Sequence, residues 1–185
     1  MNLLSLILAG TGAFSIHAAK YFKTIIAVDV SEEMINVART KAELRKISNI
    51  EFVQSGFLNF QPMEKADLVY TKWAFHHLPD YWKQAALLNI NKMLKPNGLF
   101  LITDVIFKFT PDFENKTDAL LEKLSTVFSQ HFVEETKTHI REEYSTFHWI
   151  LQGLIKRAGF TIACSDIDDE LATEYFCRKT KDFPS

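Results

Sequence analysis

The chain has 185 residues, 47% hydrophobic and 13% aromatic, enough to bury one sizeable core and too few for two ordinary domains, so a single domain over residues 1–185 is expected. A formal net charge of −2 and a pI near 6.3 supply no general attraction to polyanions. That argues against nucleic acid or an anionic membrane as partner and favours a small molecule.

The opening MNLLSLILAG has the apolar core of a secretion signal, yet no Lys or Arg precedes the run and the run is short, so secretion is not expected. LLSLIL, residues 3–8, reads instead as a buried strand, and GAFSIHAAKYF as a helix. TIIAVDV is a second strand. SEEMINVARTKAELRKI follows it as a helix with Ser31 at its cap, acids in its first turn and basic residues towards its end. IEFVQS and ADLVYT are strands three and four, PDYWKQAALLNINKML is an amphipathic helix stopped by KPNG, and LFLITDV is strand five. From Thr110 to Arg157 the pattern is helical, charged and rich in histidine, with no strand candidate. AGFTIACSDI and ATEYFCRKT close the chain as two strands around an acidic turn. No stretch approaches the about 20 apolar residues of a membrane span.

Cys164 and Cys177 are too few for a disulfide framework and lack zinc-site spacing, which fits a reducing cytoplasm. A hairpin at DIDDELAT would make them cross-strand neighbours; the simpler reading is two small buried hydrophobes.

Strands alternating with helices imply an α/β fold with a largely parallel sheet. Gly10 and Gly12 lie between the first strand and its helix, where missing side chains let a ligand approach the backbone. Asp29 stands nineteen residues after Gly10 at the end of strand two, near the offset of about 20 at which dinucleotide folds place a ribose-binding acid. Alternatively, the glycines only form a turn and Asp29 with Ser31 caps the next helix. The strand, loop, helix, strand, acid order favours a ligand site.

With these parts in order, LAGTGAFSIHAAK, AVDVSEEMI, IEFVQSGFLNF, ADLVYTKWAFHHLPDYW and KMLKPNGLFLITDV together resemble a class I S-adenosylmethionine-dependent methyltransferase over essentially the whole chain. The resemblance implies a Rossmann-like seven-stranded sheet in the order 3-2-1-4-5-7-6, strand seven antiparallel, with helices on both faces. It implies S-adenosylmethionine as cofactor, S-adenosylhomocysteine as product, and a small-molecule methyl acceptor. Gly10 and Gly12 would face the methionine portion and Asp29 the ribose. Val30 and Met34 would line one side of adenine and Gly56 and Phe57 the other, while Lys72 and Trp73 would border the transferable methyl. Leu6 and Leu8 replace an acid and a glycine usual in the family's loop, Gly56 replaces a common adenine-binding acid, and the usual helical segment before strand one is missing. These departures keep a non-catalytic binding or scaffold domain as the alternative. A nicotinamide oxidoreductase shares the glycine and acid logic but accounts poorly for GFLNF, TKWAFHHLPD and the closing hairpin.

A sulfonium methyl is already activated, so transfer needs in-line positioning and exclusion of water, with a base only where the acceptor loses a proton. His76 and His77 follow strand four and are the candidate catalytic residues; packing or helix capping is the alternative for each. Trp73 and Phe75 could attract a cationic sulfonium or pack in the core. Family analogy places substrate recognition in the 110–157 helical insert, which carries His131, His139, Arg141, Tyr144, His148 and Trp149. THIREEYSTFHWILQGLIKRAGF also reads as one amphipathic helix with Phe147, Ile150, Leu151, Leu154 and Ile155 facing the core. Core packing is the stronger reading for its aromatic residues, and a solvated surface for Arg141 and Tyr144 is as good as a substrate contact. His131, His139 and His148 form no metal-binding signature, and no metal is expected.

Overall fold

The computed structural model describes residues 4–8, 12–108, 111–166 and 172–183. Apolar runs form the strands β1 (Leu4–Leu8), β2 (Thr24–Asp29), β3 (Ile50–Gln54) and β4 (Ala66–Lys72), which pair in parallel with one another, and β4 pairs in parallel with β5 (Leu94–Phe107). The chain closes with β7 (Phe160–Asp166) and β8 (Ala172–Lys179), antiparallel to each other, with β8 antiparallel to β5. The sheet runs β3-β2-β1-β4-β5-β8-β7. This is the expected α/β architecture with a mixed sheet. It exceeds the expected seven strands by a two-residue strand, β6 (Thr146–Phe147), which pairs in parallel with Ile106 and Phe107 inside the segment where no strand was foreseen.

Side chains alternate along each strand, and this sends neighbours to different cores. Ile26, Val28, Val69, Phe100 and Ile102 join the main core. Ile25 and Tyr70 face the other side with Ala18, against which Leu101 packs. Over the main core lie α3 (Asp80–Met93), through Ala86, Leu87, Ile90 and Met93, and α6 (His148–Arg157), through Leu151 and Ile155. Each fully buried Ile, Leu or Phe contributes about 1.5–3 kcal/mol. The opposite face is covered by the short α1 (Ala13–Ala18). Next to α1 lies α2 (Glu32–Leu44), which buries Ile35, Ala38 and Ala42 at helical spacing.

The insert forms α4 (Phe113–Val127) and α5 (Gln130–Glu142). The single helix expected from Thr138 to Phe160 is broken: α5 ends at Glu142, and residues 143–147 cross the end of the sheet before α6 begins. Leu151 and Ile155 are buried as expected. Phe147 sits in β6, edge-on to Phe107 and Phe113, and Trp149 is 56% exposed rather than packed in the core. KPNG does stop α3, but β5 starts at once: Leu94 pairs with Ala66, and the next pair, Leu68 with Leu99, follows an irregularity in which Asn97 has φ 61°. In the terminal hairpin Cys177 faces Ile162 and Cys164 faces Phe176. The thiols are therefore not cross-strand partners; Cys177 is buried and Cys164 exposed.

Candidate functional site

Parallel pairing brings the carboxyl ends of β2, β1 and β4 to one edge, the place where open α/β sheets hold ligands. Asp29 ends β2, and its Oδ1 accepts from the Ser31 amide at 2.8 Å, while Ser31 Oγ accepts from the Met34 amide at 3.2 Å. The capping role is therefore real, and it is compatible with ligand binding because a carboxylate accepts more than one hydrogen bond. Val30 is apolar yet 72% exposed. A Cβ on Gly56 would lie 2.9 Å from Val30 Cγ1, so these two residues touch and form one surface rather than facing each other across the thickness of a base. Met34 is half-buried on the first turn of α2. The Phe57 ring meets Phe75 edge-on at 5.0 Å, and its carbonyl accepts from Asn89 Nδ2 at 2.8 Å, so Phe57 joins this edge to the core.

Gly12 has φ 73°, and a Cβ there would come within 2.6 Å of Ala38 Cβ. Its bare side is turned to α2, so the glycine lets the start of α1 approach that helix closely. Gly10 lies outside the described residues, as do the side chains of Leu6 and Leu8.

Lys72 ends β4 with Nζ 5.6 Å from the Trp73 ring centroid. Trp73 has φ 54° and donates its amide to Thr103 O at 3.0 Å. A bulky residue in the left-handed region is strained, and such strain concentrates at ligand sites. Trp73 is 43% exposed, whereas Phe75 is buried in the main core and so takes the packing role.

Beyond Trp73 the chain makes a 3-10 turn, Phe75–His77, anchored by an acid the sequence reading passed over. Asp104 alternates with Ile102 and Ile106 on the buried face of β5. Its Oδ2 accepts from the amides of Ala74 at 3.2 Å and Phe75 at 2.6 Å, and its Oδ1 from the Val105 amide at 2.8 Å and from His76 Nδ1 at 2.5 Å. His76 is 7% exposed. Its other nitrogen, Nε2, lies 3.2 Å from Glu143 Oε2, which is also 2.9 Å from His77 Nδ1 and 3.6 Å from His139 Nδ1. His139 Nε2 is 2.8 Å from Ser145 Oγ, and its ring stacks edge-on to His76 at 4.8 Å. Burial first, and then His76, pushes the His139 pKa down.

The segment after α5 is clamped to hold this cluster. The Tyr144 amide donates to His76 O at 2.9 Å. The Tyr144 carbonyl accepts from the buried Lys83 Nζ, which also reaches Asp80 Oδ1 at 3.1 Å. Burial lowers the Lys83 pKa. Of the insert residues singled out above, only His139 joins the cluster. His131 pairs with Glu135 and Arg141 with Glu142 on the exposed surface. Among the described residues, His76, His77 and Glu143 bring their ligand atoms within 4.8 Å of one another.

A parallel sheet closed by an antiparallel hairpin, a glycine-led helix after β1 and an acid at the end of β2 define the Rossmann-like fold of class I S-adenosylmethionine-dependent methyltransferases. The family model described as a methyltransferase domain matches residues 7–98. An uncharacterized methyltransferase of Oceanobacillus iheyensis is 27% identical over 110 residues, 59% of this chain and 49% of that protein. An S-adenosylmethionine-dependent methyltransferase of Clostridium acetobutylicum aligns with TM-score 0.73 at 14% identity, over 96% of this chain and 84% of that one. The N-methyltransferase NodS of Bradyrhizobium japonicum, in complex with S-adenosylhomocysteine, aligns with TM-score 0.68 at 17% identity, over 97% and 79%. The chain spans 49% to 66% of the length of the first curated relatives it matches. Among the described residues, no helix is long and apolar enough to cross a membrane.

Proposed function

We propose that this chain binds S-adenosylmethionine at the carboxyl edge of its sheet and transfers the methyl group to a small-molecule acceptor held between that edge and the α4–α5 insert. The observation that carries the proposal is the gathering there of Asp29, the exposed apolar Val30 and the strained, exposed Trp73. Exposed apolar surface beside a fixed carboxylate fits a nucleoside with an apolar base and a hydroxylated ribose. When bound, the cofactor supplies an electrophilic sulfonium methyl.

The Asp29 carboxylate would accept hydrogen bonds from the ribose hydroxyls. Val30 and Met34 would pack against adenine, with the Gly56 backbone beside Val30. Gly12 sets the path of the loop towards the methionine portion, in which Gly10 is the second proposed contact. Trp73 would turn its ring to the cation, and Lys72 borders the same end. His77, with 61% of its side chain exposed, is the histidine that can reach an acceptor, while His76 is locked between Asp104 and Glu143 and positions the turn.

The test is S-adenosylhomocysteine formation with a panel of small hydroxyl, amine and thiol acceptors. Turnover with at least one acceptor, reduced at least about tenfold by Asp29→Asn, is the expected result, the scale of one lost charge-assisted contact. Cofactor binding without turnover on any acceptor would favour the scaffold alternative.

A further inference from the structure

We propose that His76, His77 and Glu143 form a binding site for a divalent transition-metal ion of the zinc class. The inference goes beyond methyl transfer and does not depend on it.

The geometry of the cluster supports the site. Asp104 Oδ1 holds His76 Nδ1 at 2.5 Å, which turns Nε2 towards Glu143 Oε2 at 3.2 Å. The same oxygen is buried and takes no aligned hydrogen bond, although imidazole nitrogens surround it at 2.9, 3.2 and 3.6 Å. With metal–ligand bonds of about 2.0–2.1 Å, donor atoms at the corners of a tetrahedron stand about 3.3 Å apart; Glu143 Oε2 stands near that distance from His77 Nδ1 and His76 Nε2, and all three ligand atoms lie within 4.8 Å of one another.

The outer partner is one that metal-bound histidines use. Asp104 on His76 Nδ1 makes a carboxylate–histidine arrangement that leaves Nε2 for the ion. The donors are also held in place beforehand: three hydrogen bonds to Asp104 fix the turn, and Tyr144, gripped by His76 O and Lys83 Nζ, fixes the residue next to Glu143. Imidazole nitrogens with one carboxylate select zinc, cobalt, nickel or iron over magnesium or calcium. The open side at His77 is where water or an oxygen, nitrogen or sulfur donor of a small molecule would complete the coordination.

The test uses the untagged full chain, freed of metal by a chelator and dialysed against Zn2+ alone, with Co2+ as a spectroscopic probe. No cofactor or acceptor is present, so its outcome is separate from that of the turnover assay. One equivalent of Zn2+ is expected, with visible absorption from tetrahedral Co2+ that excess Mg2+ does not displace. His77→Ala and Glu143→Gln should each weaken binding at least about tenfold. His77 is exposed, so its variant keeps the fold, as far-UV circular dichroism would check. No bound metal in the wild-type chain, or full-strength binding in the His77→Ala/Glu143→Gln double variant, would overturn the proposal.

Discussion

Replacing Gly12 by Ala should destabilise the chain through two separable effects. The first is backbone: at φ 73° a residue with a Cβ pays about 1–2 kcal/mol for the left-handed conformation. The second is steric: the new methyl would stand 2.6 Å from Ala38 Cβ and 3.1 Å from Ala38 Cα, and inserting a methyl into a filled interior costs about 1–3 kcal/mol. The sum is about 2–5 kcal/mol, or a fall in Tm of about 4–20 °C for a chain of this size. Thermal unfolding followed by circular dichroism measures it, and Ala38→Gly separates the parts. Alone, Ala38→Gly should cost about 1 kcal/mol as a glycine inside a helix. Combined with Gly12→Ala it removes the clash and leaves the backbone cost, so the double variant should be about 1–3 kcal/mol more stable than the sum of the singles implies. A Gly12→Ala chain within about 0.5 kcal/mol of wild type, or strict additivity of the pair, would refute the packing argument.

Trp73→Gly relieves a strain of about 1–3 kcal/mol at φ 54°. Its stability should match or exceed wild type, while its affinity for S-adenosylmethionine, whose sulfonium carries the charge, falls at least about tenfold; a loss of more than about 2 kcal/mol in thermal unfolding would show that the ring is structural. Burial pushes the Cys177 thiol from 9.0 up to about 12. An acid whose folded pKa is raised stabilises fully below its unfolded pKa and loses that contribution as pH rises through the folded value. Urea midpoints should therefore fall between pH 9 and 12, by an amount on the order of 4 kcal/mol for this thiol, with Tyr175, also raised by burial to about 12, acting in the same direction. Cys177→Ala should flatten that fall, and an unchanged slope would contradict the assignment. A thiol reagent should label Cys164 alone in the native chain and both cysteines after unfolding.

The sheet was readable because each strand is an apolar run followed by a patterned helix, and the period of two already separated Ile25 and Tyr70 from Ile26 and Val69. Ser31 and the acids after it marked the start of α2 for the same local reason. What escaped notice depends on distant contacts. The break after α5 has no Gly or Pro in EEYST; it is imposed by Lys83 and His76 O gripping Tyr144, and by β6 pairing with the end of β5. Asp104 left a trace, an acid at an inward position of an apolar strand. His76 and His77 lie on one stretch of the sequence and Glu143 on another, and only the crossing of residues 143–147 over the sheet end brings them together.

A working cofactor site at the carboxyl edge would reveal itself in calorimetric titration of the chain with S-adenosylhomocysteine, beside Asp29→Asn. Asparagine keeps an oxygen for the Ser31 amide while removing the charge offered to the ribose. Saturable one-to-one binding in the micromolar range, about −8 kcal/mol, is expected, weakened at least about tenfold by the substitution. No binding up to about 1 mM, where the free energy is only about −4 kcal/mol, or equal affinity in both proteins, would contradict it.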